Sequence, residues 1–414
     1  MNDSRIHLLF IVNSLVFGGA EKHVVTLANA LDRRRYRLSL AFLKDDATLL
    51  PQIDASNLDG GILSCKVARK IDSAAVQTLA DHLRLERIEI IVCVNTYSLL
   101  YATLARRRAL VRVPTPDLAS AQASATYPVA APDPTPAKLI ELFHTTELGG
   151  VEDQLQMLFY RPFIRLSDQL VYVCRNQQRY WRRRFLRARQ DCVIHNGVDT
   201  AHFDLCQSEI GKQQVRDRFG IDRADYLIGL CAVMRPEKAH GDLLHAIDHM
   251  RRAGLRVKCL LIGDGPERGR IEAQIRVLGL EDHVHITGFQ ADVRPAIAAC
   301  DVMTIVSHHV ETFSIAALEA MSMGKPMVMS RIGGADEQID HGKNGYLFAK
   351  GDIGALVDAL TQLQHRPHAE AMGQRARQTV EQHFSLDVMV AAYDRLFTST
   401  ATSPKLHRGT IRVA

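Results

Sequence analysis

The chain alternates between short apolar runs and amphipathic helical stretches, and it does so twice. Ile6 to Val12 reads as a strand, Gly18-Gly19 as a turn and Glu21 to Leu31 as a helix. The strand Leu38 to Leu43, the helix Ala74 to Leu85 and the strand Ile88 to Val94 continue the pattern. After an interruption come the strand Leu139 to Phe143, the helical Val151 to Tyr160 and the strand Gln169 to Cys174. Strands alternating with helices require crossover connections, so the fold class is α/β with parallel sheets covered by helices.

The second run follows the polar stretch Thr200 to Gln214. It holds the strands Leu227 to Val233, Val257 to Ile262, His283 to Thr287, Val302 to Val306 and Met327 to Met329. Helices are expected over Gly241 to Arg252, Arg268 to Leu278 and Ile353 to Leu363. At 414 residues the chain exceeds one ordinary core. The expected division is a first α/β domain over 1–199, a second over 200–380, a helix over 381–397 that crosses back, and an unstructured tail over 398–414. His195-Asn-Gly-Val-Asp199 is expected to be a tight turn closing the first half. Val113 to Lys138 holds six prolines and reads as a long loop or insertion.

Composition excludes several classes. The longest apolar runs are too short to span a bilayer, and the opening residues lack the pattern of a signal peptide. The eight cysteines show no C-x-x-C spacing, and Cys93, Cys174 and Cys259 fall inside strand-like runs. They read as reduced core thiols, which places the chain in the cytoplasm. The net charge of +5 is mild. It concentrates in Arg179 to Arg189, where tyrosine, tryptophan and phenylalanine are interleaved. That run reads as a solvated helix face, with peripheral contact to anionic membrane as the alternative. No nucleic-acid-binding signature is present.

The chemistry concentrates in the second half. Glu311 and Glu319 stand eight residues apart after an apolar run, with Glu319 on a helix apolar almost all round. Such a helix is buried, and a buried carboxylate needs a partner. No lysine or arginine lies one turn away, so the partner is a distant cation or a ligand. Arg235 and Lys238 follow the first strand of this half and suit a diphosphate. Gly18-Gly19, Gly263-Asp-Gly265 and Gly333-Gly334 follow strands, where backbone amides can approach an anion. His144 ends the strand Leu139 to Phe143 and faces the cleft between the halves.

These pieces together resemble GT-B glycosyltransferases of the large retaining family four. The resemblance is carried, in order, by Phe17-Gly-Gly-Ala-Glu21, Phe143-His-Thr145, Ile194-His-Asn-Gly-Val-Asp199 and Arg-Pro-Glu-Lys238. It continues through Leu261-Ile-Gly-Asp-Gly-Pro266, the Glu311-to-Glu319 segment, Gly324-Lys-Pro326, and Gly333-Gly334 with Glu337. It implies two Rossmann-like domains around a cleft and sugar transfer from a nucleotide-diphosphate donor. Glu319 would bind the donor ribose, and Glu311 the donor sugar. Backbone amides of Phe313, Ser314 and Ile315 would meet the diphosphate, with charge from Arg235 and Lys238. Gly18, Gly19 and Gly263 would line the donor, and His144 would act beside the transferring sugar. The resemblance further implies retention at the anomeric carbon, no metal, no cofactor, and a glycan or lipid-linked acceptor at the inner face of the cell membrane. The arginine that the family places five residues before the lysine is Val233 here. A nucleotide-sugar epimerase of the same fold and a non-catalytic sensor of nucleotide sugars are the competing functions.

Overall fold

The structure, a computed structural model, describes residues 3–16, 18–111, 136–145, 150–204, 209–309 and 311–402. The proline-rich insertion lies almost wholly outside them. The first sheet takes β1 (Ile6–Val12), β2 (Tyr36–Phe42), β3 (Gly61–Ser64), β4 (Ile90–Val94), β5 (Lys138–Phe143), β6 (Gln169–Tyr172) and β7 (Gln190–Val193). Its order is β3-β2-β1-β4-β5-β6-β7, and every pairing is parallel. The helices α1 (Gly19–Ala30), α2 (Ser73–Leu85), α3 (Asn95–Ala109), α4 (Val151–Leu166) and α5 (Arg175–Arg183) connect these strands.

The second sheet is built the same way from β8 (Tyr226–Cys231), β9 (Val257–Ile262), β10 (Val284–Gly288), β11 (Val302–Ile305), β12 (Met327–Ser330) and β13 (Gly345–Phe348), in the order β10-β9-β8-β11-β12-β13. Its helices are α6 (Glu209–Arg218), α7 (His240–Arg252), α8 (Arg268–Leu278), α9 (Arg294–Ala299), α10 (Ile315–Ser322), α11 (Ala335–Gln338) and α12 (Ile353–Gln362). The chain ends in α13 (Arg366–His383) and α14 (Leu386–Thr402).

Both sheets are buried on both faces, which is why their strands are continuous apolar runs rather than alternating ones. In the first, Leu8, Phe10 and Val12 pack with Met389, Tyr393 and Phe397 of α14, while Leu9, Ile11 and Cys93 pack with α2, α3 and Trp181. In each sheet the strand order reverses at the first strand, β1 or β8, opening a crevice at the carboxyl ends where ligands of such sheets bind.

Four local expectations are corrected. His195 to Val198 forms no tight turn. Its backbone bonds go to the far end of the chain: Val198 pairs with Ser385, and the Leu386 amide donates to the Val198 carbonyl at 2.8 Å. That pairing separates α13 from α14 at Phe384-Ser385, so the helix expected over 381–397 begins only at Leu386. α14 runs to Thr402, with Thr400 buried, so the tail does not begin at 398. Helix α6 occupies part of the stretch expected to be a polar connection.

Candidate functional site

Glu319 lies in the middle of α10 and is 3% exposed. Its partner is Lys22 of α1, in the first half, whose ammonium donates to Oε1. The buried carboxylate is therefore answered by a cation from the opposite domain. Glu311 is held on its own side: Lys238 Nζ donates to Oε2 at 2.6 Å, and Ser307 Oγ donates to the same oxygen at 3.2 Å. Each acid of the pair thus carries one lysine. Arg235 is exposed, and its charge reaches Glu21 across the cleft. Burial pushes the Glu21 carboxyl up, and its own amide and Arg235 pull it partly back.

Backbone geometry fixes where these groups stand. Gly333 has φ +55, and a Cβ there would lie 1.7 Å from the Glu311 carbonyl oxygen. Only glycine lets β12's loop close on the Glu311 loop. Gly263 and Gly265 serve a similar close approach, since Cβ atoms there would lie 2.3 Å from the Ala232 carbonyl and 2.6 Å from that of Met234. This turn shapes the loop that presents Arg235. At Gly18, the Glu21 carboxylate folds back to within 2.3 Å of where a Cβ would stand, whereas Gly19 borders open space.

Ser314 caps α10, its Oγ accepting from the Ala317 amide at 3.3 Å. Its own amide donates to Gln338 Oε1 at 3.2 Å, and Gln338 Nε2 returns a bond to the Ser314 carbonyl at 2.8 Å. Of the three amides expected to face a ligand, that of Ser314 is thus already used. Ile315, the first helical residue, has an amide that helix geometry leaves unpaired. Phe313 is buried against His195 and Phe384.

His144 sits just past β5 in a rigid clamp. The Phe143 and Thr145 carbonyls accept from Gln177 Nε2 at 2.7 and 3.0 Å, and Trp181 Nε1 also donates to Thr145, at 2.8 Å. The His144 amide donates to Asn95 Oδ1 at 3.2 Å, and Thr312 of the second domain donates to its carbonyl at 2.7 Å. Its Nε2 is buried and has no hydrogen-bond partner. The ring stands edge-on to His23 at 5.4 Å, and His23 Nε2 meets Tyr393 Oη of α14 at 3.0 Å.

Burial depresses His144 to about 4, and depresses His23 to about 3 with His144 adding to the effect. Both are neutral imidazoles at neutral pH. His240 is likewise held down to about 4 by burial, with Lys238 adding to it. Above pH 6.5 these groups are neutral in folded and unfolded chains alike. Below it the unfolded chain takes up protons that the folded one refuses, so stability falls as pH drops from about 6.5 toward 4. The limiting slope is about 1.4 kcal/mol per pH unit for each histidine. Thermal melts from pH 7 to 5 are expected to show a steady fall in Tm. A flat profile would contradict the burial of these rings.

His195, Asn196 and Glu337 stood in the motifs without a role, and the structure shows that they lock the two halves. Asn196 Nδ2 donates to the Phe313 carbonyl at 2.9 Å. Glu337 accepts from the amides of Arg175 and Asn176 at 2.9 and 2.8 Å and meets His195 Nε2 at 2.9 Å. Asn176 Nδ2 donates to the Gly333 carbonyl at 2.7 Å. Lys22 and Tyr393 gave no signal because their partners are 297 and 370 positions away. The basic run resolves into separate roles: Trp181 is fully buried, Arg182 pairs with Asp191 and Arg189 with Asp168. Among the described residues, no cluster of three or more His, Cys, Asp or Glu could hold a metal ion, and no helix is long and apolar enough to cross a membrane.

Two family models match the chain. Glycosyltransferase Family 4 covers residues 17–202, and Glycosyl transferases group 1 covers 211–379. Among relatives, N-acetyl-alpha-D-glucosaminyl L-malate synthase of Bacillus anthracis is 32% identical over 44% of this chain and 48% of its own length. A GDP-mannose-dependent phosphatidylinositol monomannoside mannosyltransferase of Mycolicibacterium smegmatis is 30% identical over 46% and 50%. The chain spans about half the length of these curated relatives. Among solved structures, Anabaena HepE in complex with UDP superposes with a TM-score of 0.77 over 95% of this chain and all of that one, at 21% identity. Sucrose-phosphate synthase of Thermosynechococcus elongatus superposes at 0.73 over 95% and 99%, at 17% identity.

Proposed function

Since the chain belongs to the GT-B glycosyltransferases of group 1, we propose that it transfers a sugar from a nucleotide-diphosphate donor to a glycan or lipid-linked acceptor. The observation that carries this reading is the pair of cleft carboxylates, Glu319 and Glu311, each neutralised by a lysine at the carboxyl ends of parallel strands. A donor offers what both pairs lack. Ribose hydroxyls can donate to Glu319 in place of Lys22, and sugar hydroxyls can donate to Glu311. The diphosphate then receives Lys22, Lys238 and Arg235 as counter-charges, with the free amide of Ile315 at the start of α10.

The transfer proceeds with retention. The bond between the anomeric carbon and the phosphate oxygen breaks, and the acceptor oxygen bonds to the same face of that carbon. The acceptor proton passes to the leaving phosphate oxygen. Cations and helix amides stabilise the charge that develops on the diphosphate. Transfer is accordingly expected to persist in excess EDTA. Activity lost to the chelator and restored by magnesium or manganese would refute the metal-independent part of the proposal.

The test of the function is incubation with a panel of nucleotide sugars, with and without candidate acceptors, followed by product identification and assignment of anomeric configuration. A glycosylated product is expected. Isomerised or hydrolysed donor formed without acceptor would identify an epimerase. Binding without turnover across donors and acceptors would identify a sensor.

A further inference from the structure

Among the described residues, helix α4 presents an uncovered apolar strip. Val151 is 71% exposed, Leu155 and Leu158 are each 62%, and Phe159 is 52%. With exposed Pro162, they fall within about 100° around the helix at 100° per residue. The buried side of α4 is the opposite one: Met157, Tyr160 and Ile164 enter the domain. The helix is therefore apolar on two sides, and only one is used by the fold. Arg165 borders one edge of the strip and Glu152 the other, while Asp153 lies off it.

The arginine-rich turn after α5 stands beside α4. Arg161 Nη2 donates to the Arg184 carbonyl at 3.0 Å, tying α4 to the turn. At the turn's tip Phe185 is 69% exposed and held at φ +58, a conformation unusual for a bulky residue. Arg183, Arg184 and Arg187 flank it in sequence and are exposed, with the Arg184 guanidinium stacked 3.6 Å from the Tyr180 ring centre. From 151 to 189 the chain carries nine arginines against three acids. Exposed leucine and phenylalanine flanked by arginine is the chemistry of a surface that enters the headgroup boundary of an anionic bilayer.

We propose that α4 and the turn at Phe185 dock the first domain on an anionic bilayer surface. α4 starts a few residues beyond His144, so docking holds the mouth of the cleft near the lipid surface. On the glycosyltransferase reading, this assigns the acceptor to the lipid-linked class. The docking itself does not depend on that reading.

The experiment is co-sedimentation of the full chain with vesicles of phosphatidylcholine alone or mixed with phosphatidylglycerol, at low and high salt. The variants are the double changes Leu155→Ser with Phe159→Ser, and Arg183→Gln with Arg184→Gln. Wild type is expected to bind the anionic vesicles and to bind the neutral ones far more weakly. The apolar double variant is expected to lose on the order of a hundredfold in partitioning. The arginine double variant is expected to lose about thirtyfold at low salt, roughly fivefold per arginine, and much less at high salt. Melting temperatures are expected to match wild type, since the altered side chains are exposed. Absence of wild-type binding to anionic vesicles, or wild-type binding by the apolar variant, would overturn the proposal. So would a dimer in solution that Leu155→Ser dissociates, which would identify a second copy as the occupant. Donor turnover in solution by all variants would leave the proposed function standing whichever way the vesicles decide.

Discussion

Glu319→Ala is expected to weaken binding of the nucleotide diphosphate about a hundredfold while leaving the protein folded. A hydrogen bond to a charged group contributes about 1.5–3 kcal/mol, and two ribose hydroxyls sharing one carboxylate reach a hundredfold without further contacts. The loss of Lys22 as a partner costs little by comparison. Lys22 is 45% exposed at its side chain, so its ammonium returns to water, and alanine suits the middle of α10. Calorimetric titration with the nucleotide is the measurement, paired with a melting curve of the unliganded variant. Affinity equal to wild type would remove Glu319 from the donor site. A large drop in unliganded Tm would instead make the Lys22–Glu319 pair a structural tie between the domains.

The same pair shows how far the sequence alone reaches. Buried parallel strands write themselves as apolar runs, so β1, β9 and α8 were legible to the residue. β3 and β13 have four residues each and little contrast with their flanks. α3 starts directly from β4 at Asn95, whose φ of +65 makes the turn in one residue, so no loop signal marks it. In the cleft, the burial of Glu319 followed from the all-round apolar character of α10. The identity of its partner did not, because a contact between domains depends on how two sheets face each other, and no local pattern records that. Lys238 was legible as a cation at a strand end but not as the partner of Glu311. The Ser314 amide looked available until Gln338, 24 positions on, was seen to accept from it. His195 to Val198 looked like a turn from its composition, but Val198 takes its backbone partners beside Ser385 instead.

His144→Ala is expected to lower kcat about a hundredfold with little change in donor affinity. His144 belongs to the first domain, whereas Glu311, Glu319, Lys238 and Arg235 all belong to the second, so its loss leaves most of the proposed donor contacts in place. Its Nε2 is enclosed and unpartnered, which is costly in a resting protein, and a sugar hydroxyl or developing charge entering the cleft would satisfy it. Burial keeps the ring neutral at neutral pH, so it enters the reaction as a hydrogen-bonding group and not as a fixed cation. The clamp from Gln177, Asn95 and Thr312 holds the backbone on either side, and the edge contact with His23 restrains the ring. A preorganised group of this kind acts most strongly on the transition state, and removing one such polar contact costs roughly 3 kcal/mol. An interaction made mainly there lowers kcat and kcat/KM together, whereas lost ground-state binding raises KM alone. Steady-state kinetics with donor and acceptor, alongside calorimetry with the donor nucleotide, separates the two. Wild-type turnover with a raised donor KM would make His144 a binding residue. Tyr393→Phe removes the hydroxyl that meets His23 without touching His144. It is expected to give a smaller loss in kcat of the same kind, because the ring at His144's edge then loses its anchor on α14.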